Sequence, residues 1–116
     1  MIDWKTITSN EDVENIKKRS ETVNCMIFKH STTCSISVMA KSRLERKWDI
    51  EATEIEPYYL DLKIFKPVSN FIGETFDVHH ESPQVLLIKD GKCFYDESHL
   101  DIKVEEIKDA FNASIR

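Results

Sequence analysis

One cysteine of this chain lies where a strand-like sequence changes into a helix-like one, a junction that strongly restricts the fold. Residues 23–28 form a nearly continuous apolar run, typical of a strand buried on both faces of a sheet. From Ser35 to Lys47, residues recur at helical spacing that predict a helix covering one sheet face: Ile36, Met39, Ala40 and Leu44. Cys34 is therefore expected at a helix N-terminus, where unpaired N–H groups and the helix dipole stabilise thiolate over thiol.

The other segments predict an α/β fold in the order βαβαβαββα. Further strands are predicted at residues 4–8, 58–65, 84–88 and 93–95. Further helices are predicted from Ser9 or Asn10 to Ser20, from Pro67 onward, and over residues 104–111. Helices between the early strands, followed by a hairpin at Asp90-Gly91, predict a mixed central sheet flanked by helices. The 116 residues are expected to form a single domain, residues 1–116.

Composition and charge exclude several classes of protein. A net charge of -5 argues against binding to nucleic acid, whose phosphates attract basic surfaces. No stretch approaches the roughly 18–20 apolar residues that span a bilayer, and the first residues lack a basic segment followed by an apolar run. We therefore expect a cytoplasmic protein that is not bound to a membrane. The four histidines have no metal-ligand spacing, so no metal is predicted.

The three cysteines are not expected to pair with one another. Their number is odd and their spacing irregular, which indicates free thiols in a reducing compartment. Cys25 begins the strand that leads to Cys34, and at roughly 3.3 Å per residue the two lie well over 10 Å apart. A disulfide needs Cα atoms within about 7 Å. Cys93 is expected at the opposite pole of the sheet, so Cys34 is predicted to react alone.

Four blocks of sequence, in order along the chain, resemble the monothiol bacilliredoxins, which are bacillithiol-system proteins of thioredoxin fold. The blocks are residues 28–34, 66–70, 78–84 and 98–102. The spacing Cys34-x-x-Ser37 is similar to a thioredoxin motif whose second, resolving cysteine is replaced by serine. The resemblance implies a cis-proline at Pro83, facing the cysteine. Ser35 departs from the family, which usually has proline there, so a rigid φ is lost.

The resemblance also implies a function. Cys34 would reduce mixed disulfides between client proteins and bacillithiol, the small-thiol co-substrate, and a second bacillithiol or a separate disulfide reductase would then release it. Cys34, Ser37 and Pro83 would form the catalytic set. The residues expected to bind the thiol are Thr33, Ser35, Ser82, Ser98 and His99. Lys29 and Lys66, taken as exposed, would attract the malate carboxylates of bacillithiol.

Several alternatives remain open from the sequence. Ser37 is either a hydroxyl that bonds the thiolate or an ordinary first-turn residue, and His99 either binds the small thiol or caps the last helix. The protein could instead use glutathione or another small thiol. It could also be a noncatalytic interaction module that binds peptides along the proline strand, or a stress-linked redox sensor modified at Cys34.

Overall fold

The computed structural model describes residues 2–51 and 53–114, and its element order is the predicted βαβαβαββα. The strands are β1 Lys5–Thr6, β2 Cys25–His30, β3 Glu56–Asp61, β4 Gln84–Lys89 and β5 Lys92–Ser98. The helices are α1 Asn10–Arg19, α2 Ser35–Lys47, α3 Lys66–Phe76 and α4 Val104–Ala113, with a short 3-10 turn at His99–Asp101. Among the described residues, no helix is both long and apolar enough to cross a membrane.

The five strands form one mixed sheet in the order β1-β3-β2-β4-β5. The central strand β2 pairs parallel with β3 and antiparallel with β4, and β4 pairs antiparallel with β5. The predicted hairpin turn is present, and both of its central residues, Asp90 and Gly91, have positive φ, of 54° and 77°. Type I′ turns require positive φ at both positions, which explains the Asp-Gly pair.

Two apolar layers pack against the sheet, one on each face. Side chains alternate along a strand, so β2 contributes Met26 and Phe28 to one layer and Cys25 and Ile27 to the other. The first layer is closed by α2 and α4 through Ala40, Leu44, Val104 and Ile107. The second is closed by α1 and α3 through Val13, Ile16, Val68, Ile72 and Phe76. The strand that leads to Cys34 is thus buried on both faces, as the sequence predicts.

Some predicted boundaries and one predicted helix face are wrong. β1 is shorter than residues 4–8, and β3 ends at Asp61 because the chain turns there towards α3. β5 extends to Ser98, and β2 continues to His30 rather than ending at Phe28. The bounds of α2 are those predicted, but Ile36 and Met39 are 40% and 53% exposed. The inward face of α2 is formed by Ser37, Ala40 and Leu44.

Gly73 shapes the turn that leads from α3 towards β4. The sequence indicates only that this glycine weakens the helix slightly. In the structure a Cβ at Gly73 would lie 3.0 Å from the Val78 carbonyl oxygen, and the Val78 N–H donates to the Gly73 carbonyl at 3.0 Å. Asp77 between them is left-handed, with φ 54°. Glycine therefore permits a close approach that sets the course of residues 78–83.

Candidate active site

Three connections meet at one end of the sheet. In the strand register, Lys29 of β2 lies opposite Gln84 of β4, and Gln84 lies opposite Ser98 of β5. The loop that leads to Cys34, the residues before β4 and the end of β5 therefore share this edge. The His99 N–H donates to the Pro83 carbonyl oxygen at 3.0 Å, which joins two of these connections directly.

Cys34 occupies the N-cap position of α2. Its backbone is extended, with φ −97° and ψ 120°, and its carbonyl oxygen accepts from the Val38 N–H at 3.0 Å. Its own N–H donates to the Ser31 carbonyl at 3.2 Å. The side chain is partly exposed and does not cap the helix. The sulfur thus stands at a helix N-terminus with no acidic residue in its first turn, flanked by exposed Thr33 and Ser35.

Ser37 is fully buried and holds the loop before Cys34. Its hydroxyl oxygen accepts from the Ser31 N–H at 2.9 Å and lies 2.6 Å from Nδ1 of His30. The residue at the position of a resolving cysteine therefore connects the end of β2, the loop and the first turn of α2. This role differs from both sequence-based alternatives, because the hydroxyl bonds Ser31 and His30 instead of the thiolate and does more than occupy the first turn.

His30 lies inside the protein, although the sequence places it in the loop. It is 4% exposed, with its ring near those of Phe28 and Tyr59 at centroid distances of 5.8 and 5.6 Å. β2 continues because His30 pairs with Asp61 of β3 and its carbonyl accepts from the Leu62 N–H at 2.8 Å. Burial, and then the charge of Lys41, lower the pKa of His30 below its ordinary value, which favours the neutral imidazole.

Lys29 lies on the opposite face of the sheet and is also fully buried. The expectation that it is an exposed lysine attracting carboxylates is therefore wrong; Lys66 is exposed as expected. The Lys29 ammonium nitrogen lies 3.3 Å from Nδ1 of His80, and burial lowers the pKa of Lys29 to about 8. The only sequence signal for burial of Lys29 and His30 is that they directly continue the apolar run of β2.

The Ser82-Pro83 peptide bond is cis, as the resemblance implied. Pro83 is buried and Ser82 is partly exposed. Before them, the Glu81 carboxylate lies between two imidazoles, 3.8 Å from Nε2 of His79 and 3.4 Å from Nε2 of His99.

His99 follows the end of β5 and does not cap the final helix. It opens the 3-10 turn with a left-handed φ of 57°, and α4 begins only at Val104. The sequence did not separate these two helical segments. His99 is exposed at this edge beside the Pro83 segment, together with partly buried Ser98.

The other two cysteines lie at the far end of the sheet. Cys25 pairs in register with Ile88, and Ile88 pairs with Cys93. Burial raises the pKa of Cys25 to about 12 and that of Cys93 to about 11. Neither thiol is placed to resolve a disulfide on Cys34. Within the part of the chain that the structure describes, no three His, Cys, Asp or Glu side chains are grouped to hold a metal ion.

Comparison with known proteins yields both a family and a fold. The family model described as Monothiol bacilliredoxin BrxC matches residues 5–107. Among solved structures, a proposed oxidoreductase with a thioredoxin fold is 26% identical over 90% of each chain, with a TM-score of 0.75. A thioredoxin of Malassezia sympodialis is 14% identical over 97% of this chain and 91% of its own, with a TM-score of 0.74. Mitochondrial thioredoxin 3 of Saccharomyces cerevisiae, oxidised, is 14% identical over 95% and 94%, with a TM-score of 0.70. The predicted thioredoxin-like fold is confirmed.

Proposed function

The chain belongs to the monothiol bacilliredoxin family, and from that premise we propose that it reduces mixed disulfides between proteins and bacillithiol through Cys34. One observation carries the proposal: the three thiols are separated by position. Cys34 is partly exposed at a helix N-terminus, whereas Cys25 and Cys93 lie at the other end of the sheet with raised pKa values. Thiol–disulfide exchange requires an accessible thiolate, which favours Cys34 as the nucleophile.

The proposed reaction is two consecutive exchanges. The Cys34 thiolate attacks the bacillithiol sulfur of the mixed disulfide, the client–bacillithiol S–S bond breaks, and the client leaves as a thiolate that takes up a proton. Cys34 then carries bacillithiol in a new disulfide. A second bacillithiol thiolate, or a separate disulfide reductase, attacks this adduct and releases Cys34 as a thiolate. Ser37 has no sulfur with which to replace that second thiol.

The remaining site residues are assigned by their place around Cys34. Thr33 and Ser35 flank the sulfur, and Ser82, Ser98 and His99 lie on the connections that share its end of the sheet. We assign these five residues to binding of the small thiol. The segment that leads through Pro83 into β4 would pair with an extended part of the client, as strand addition does elsewhere. A cytoplasmic location, where thiols are kept reduced, suits this chemistry.

The test follows the adduct from client to enzyme. A client protein with one bacillithiolated cysteine is incubated with the wild type and with Cys34→Ser, Cys25→Ser and Cys93→Ser, and intact masses are recorded. We expect the bacillithiol mass on Cys34 of the wild type, no reduction of the client by Cys34→Ser, and nearly full activity in the other two. The same client carrying glutathione instead tests the thiol class. Activity in Cys34→Ser, or preference for the glutathione adduct, would reject the proposal.

A further inference from the structure

A layer of buried polar side chains lies beneath the segment that leads to Pro83. Lys29 of β2, Ser69 of α3 and Gln84 of β4 are each 1% exposed or less. Gln84 Nε2 donates to the His79 carbonyl at 2.9 Å, and its Oε1 accepts from the Glu81 N–H at 3.4 Å. Three elements thus direct polar groups at residues 79–81, the three residues immediately before Ser82.

Lys29 and Ser69 both approach the middle residue of this segment. The Lys29 ammonium nitrogen lies 3.3 Å from His80 Nδ1, and the Ser69 hydroxyl oxygen lies 3.4 Å from the same atom. An ammonium group only donates hydrogen bonds, so Nδ1 must accept from it. This contact therefore requires a neutral His80 that carries its hydrogen on Nε2.

Lys29 is unusual among the buried residues of β2. Among the described residues, no carboxylate lies within ion-pair distance of its ammonium. An ammonium that is buried without a carboxylate is unfavourable for folding, and the neighbouring positions 25–28 of the strand are apolar and equally buried. An apolar side chain would pack there at a lower cost, so the gain from lysine must lie in the contact with His80.

We propose that Lys29 is a positioning residue of the exchange site, whose buried ammonium holds His80 and, through it, residues 79–81 against the sheet. The inference rests on the function proposed above and deepens it. Residues 79–81 lead directly into Ser82 and Pro83, which share the end of the sheet with the Cys34 loop. A segment that is already ordered loses less conformational freedom when a client docks on it, so Lys29 would favour client binding without touching the client.

The contact depends on pH because it requires a neutral His80, and an imidazole takes up a proton in acid. Lys29 faces it from β2, Lys66 from the start of α3, and His79 and Glu81 from its own segment. Burial, followed by the charge of Lys29, lowers the pKa of His80 below its ordinary value. Once His80 is protonated, its ring and the ammonium both donate hydrogen bonds and repel each other. The segment should therefore be held at neutral pH and released in acid.

The first experiment replaces Lys29 by the apolar side chain closest to it in shape. Backbone order parameters of residues 79–82, from ¹⁵N relaxation, are measured without substrate for the wild type, Lys29→Met and Lys66→Met. Lys66→Met removes an exposed positive charge that faces the same imidazole, which makes it the matched control. We expect order parameters near 0.85 in the wild type and the control, and below about 0.6 in Lys29→Met. Unchanged order in Lys29→Met would overturn the proposal.

The second experiment separates positioning from a merely structural role. In His80→Asn the amide oxygen takes the place of Nδ1 as acceptor, but the side chain does not titrate. On acidification, residues 79–82 should loosen in the wild type and stay ordered in His80→Asn. A structural lysine would give both proteins the same pH profile, and that result would reject the inference. Because His80 is exposed, this variant is expected to fold even if Lys29→Met does not.

Kinetics link the segment to the reaction. With a bacillithiolated client, Lys29→Met should raise KM by about tenfold or more and change kcat less, because a hydrogen bond to a charged group is among the strong ones. If the wild type does not reduce this client while the relaxation results are as expected, the proposed function is rejected and the ordering of residues 79–81 by Lys29 is supported. If reduction proceeds and Lys29→Met leaves both KM and the order parameters unchanged, the inference fails alone.

Discussion

The charge of Lys29 destabilises the folded protein in a pH-dependent way. Burial lowers the pKa of Lys29 from 10.5 to about 8. Because the pKa of Lys29 is lower in the folded than in the unfolded protein, the folded state is destabilised wherever this amine is charged. The amine is neutral in both states above pH 10.5, so no stability is lost there, and the loss grows as the pH falls to about 8. The shift corresponds to about 3 kcal/mol at neutral pH. The positioning of residues 79–81 would not restore this stability. Its benefit would lie in function, and such a trade-off between stability and activity is common at active sites.

Replacing Lys29 by methionine should therefore stabilise the protein at neutral pH. We expect the free energy of unfolding of Lys29→Met to exceed that of the wild type by up to about 3 kcal/mol at pH 7. The difference should shrink as the pH rises through the window from about 8 to 10.5, because the wild-type amine then loses its charge. Urea unfolding followed by circular dichroism measures both. A difference that is constant across this window would contradict the assignment of the loss to the buried charge.

At the same scale, the sequence predicts that Cys34 lies at a helix N-terminus, but it does not predict that Lys29 and His30, which end β2, are buried. Cys34 is recognisable because a strand pattern and a helix pattern meet at it, and both patterns are local. Lys29 and His30 are buried because β3 and β4 pair with them on either side, which depends on residues far away in the chain. The spacing from Cys34 draws attention to Ser37, but its bond to His30 is not predictable from a sequence pattern that ends the strand at Phe28.

At the scale of elements, the start of α2 is fixed by a side chain that folds back on the loop before it. Ser37 connects Ser31 and His30, and it lies on the same inward face of the helix as the buried apolar residues Ala40 and Leu44. Ile36 and Met39 follow the helical period yet face solvent. The sequence predicted the bounds of α2 from its cap and period, but periodicity alone does not determine which of two partly apolar faces is buried.

The first turn of α2 also offers a test of the monothiol mechanism. Residues 34 and 37 are three positions apart at the helix start, so Ser37→Cys should bring two sulfurs within disulfide range. We expect the bacillithiol adduct on Cys34 of this variant to be lost without added thiol. The intact mass should then fall to that of the protein with an internal disulfide between residues 34 and 37. The adduct on the wild type should persist until bacillithiol is added.

Ser37→Ala is the matched control, because it breaks the bonds to Ser31 and His30 without adding a sulfur. Its adduct should persist like that of the wild type. The variant should be less stable by about 1–3 kcal/mol, since buried polar groups lose their partner. If the wild-type and Ser37→Cys adducts decay equally fast without added thiol, another residue already resolves Cys34 and the monothiol mechanism is wrong.

At the scale of the whole molecule, the sheet separates the thiol at the helix N-terminus from two thiols whose pKa values are raised by burial. Cys34 lies in the connection that follows β2 at one end of the sheet. Cys25 is the first residue of β2 at the other end, next to Ile88 and Cys93 across the sheet. Cys25 is buried, and Cys93 is partly exposed like Cys34, but burial raises the pKa of both Cys25 and Cys93 and so disfavours their thiolates. We therefore expect Cys34 to be the thiol through which the native protein forms disulfides with other molecules.

Oxidation of the native protein should accordingly stop at a dimer. With diamide as the oxidant, two copies can join through Cys34, and a third copy finds only Cys25 and Cys93, whose raised pKa values disfavour the reactive thiolate. We expect a disulfide-linked dimer on a non-reducing gel, with a Cys34–Cys34 peptide in its mass spectrum, and only monomer for Cys34→Ser. The same oxidation in urea should give higher oligomers, because unfolding exposes Cys25 and Cys93 and returns their pKa values towards that of a free thiol. Native trimers, or a native dimer of Cys34→Ser, would mean that a second thiol is reachable in the folded chain.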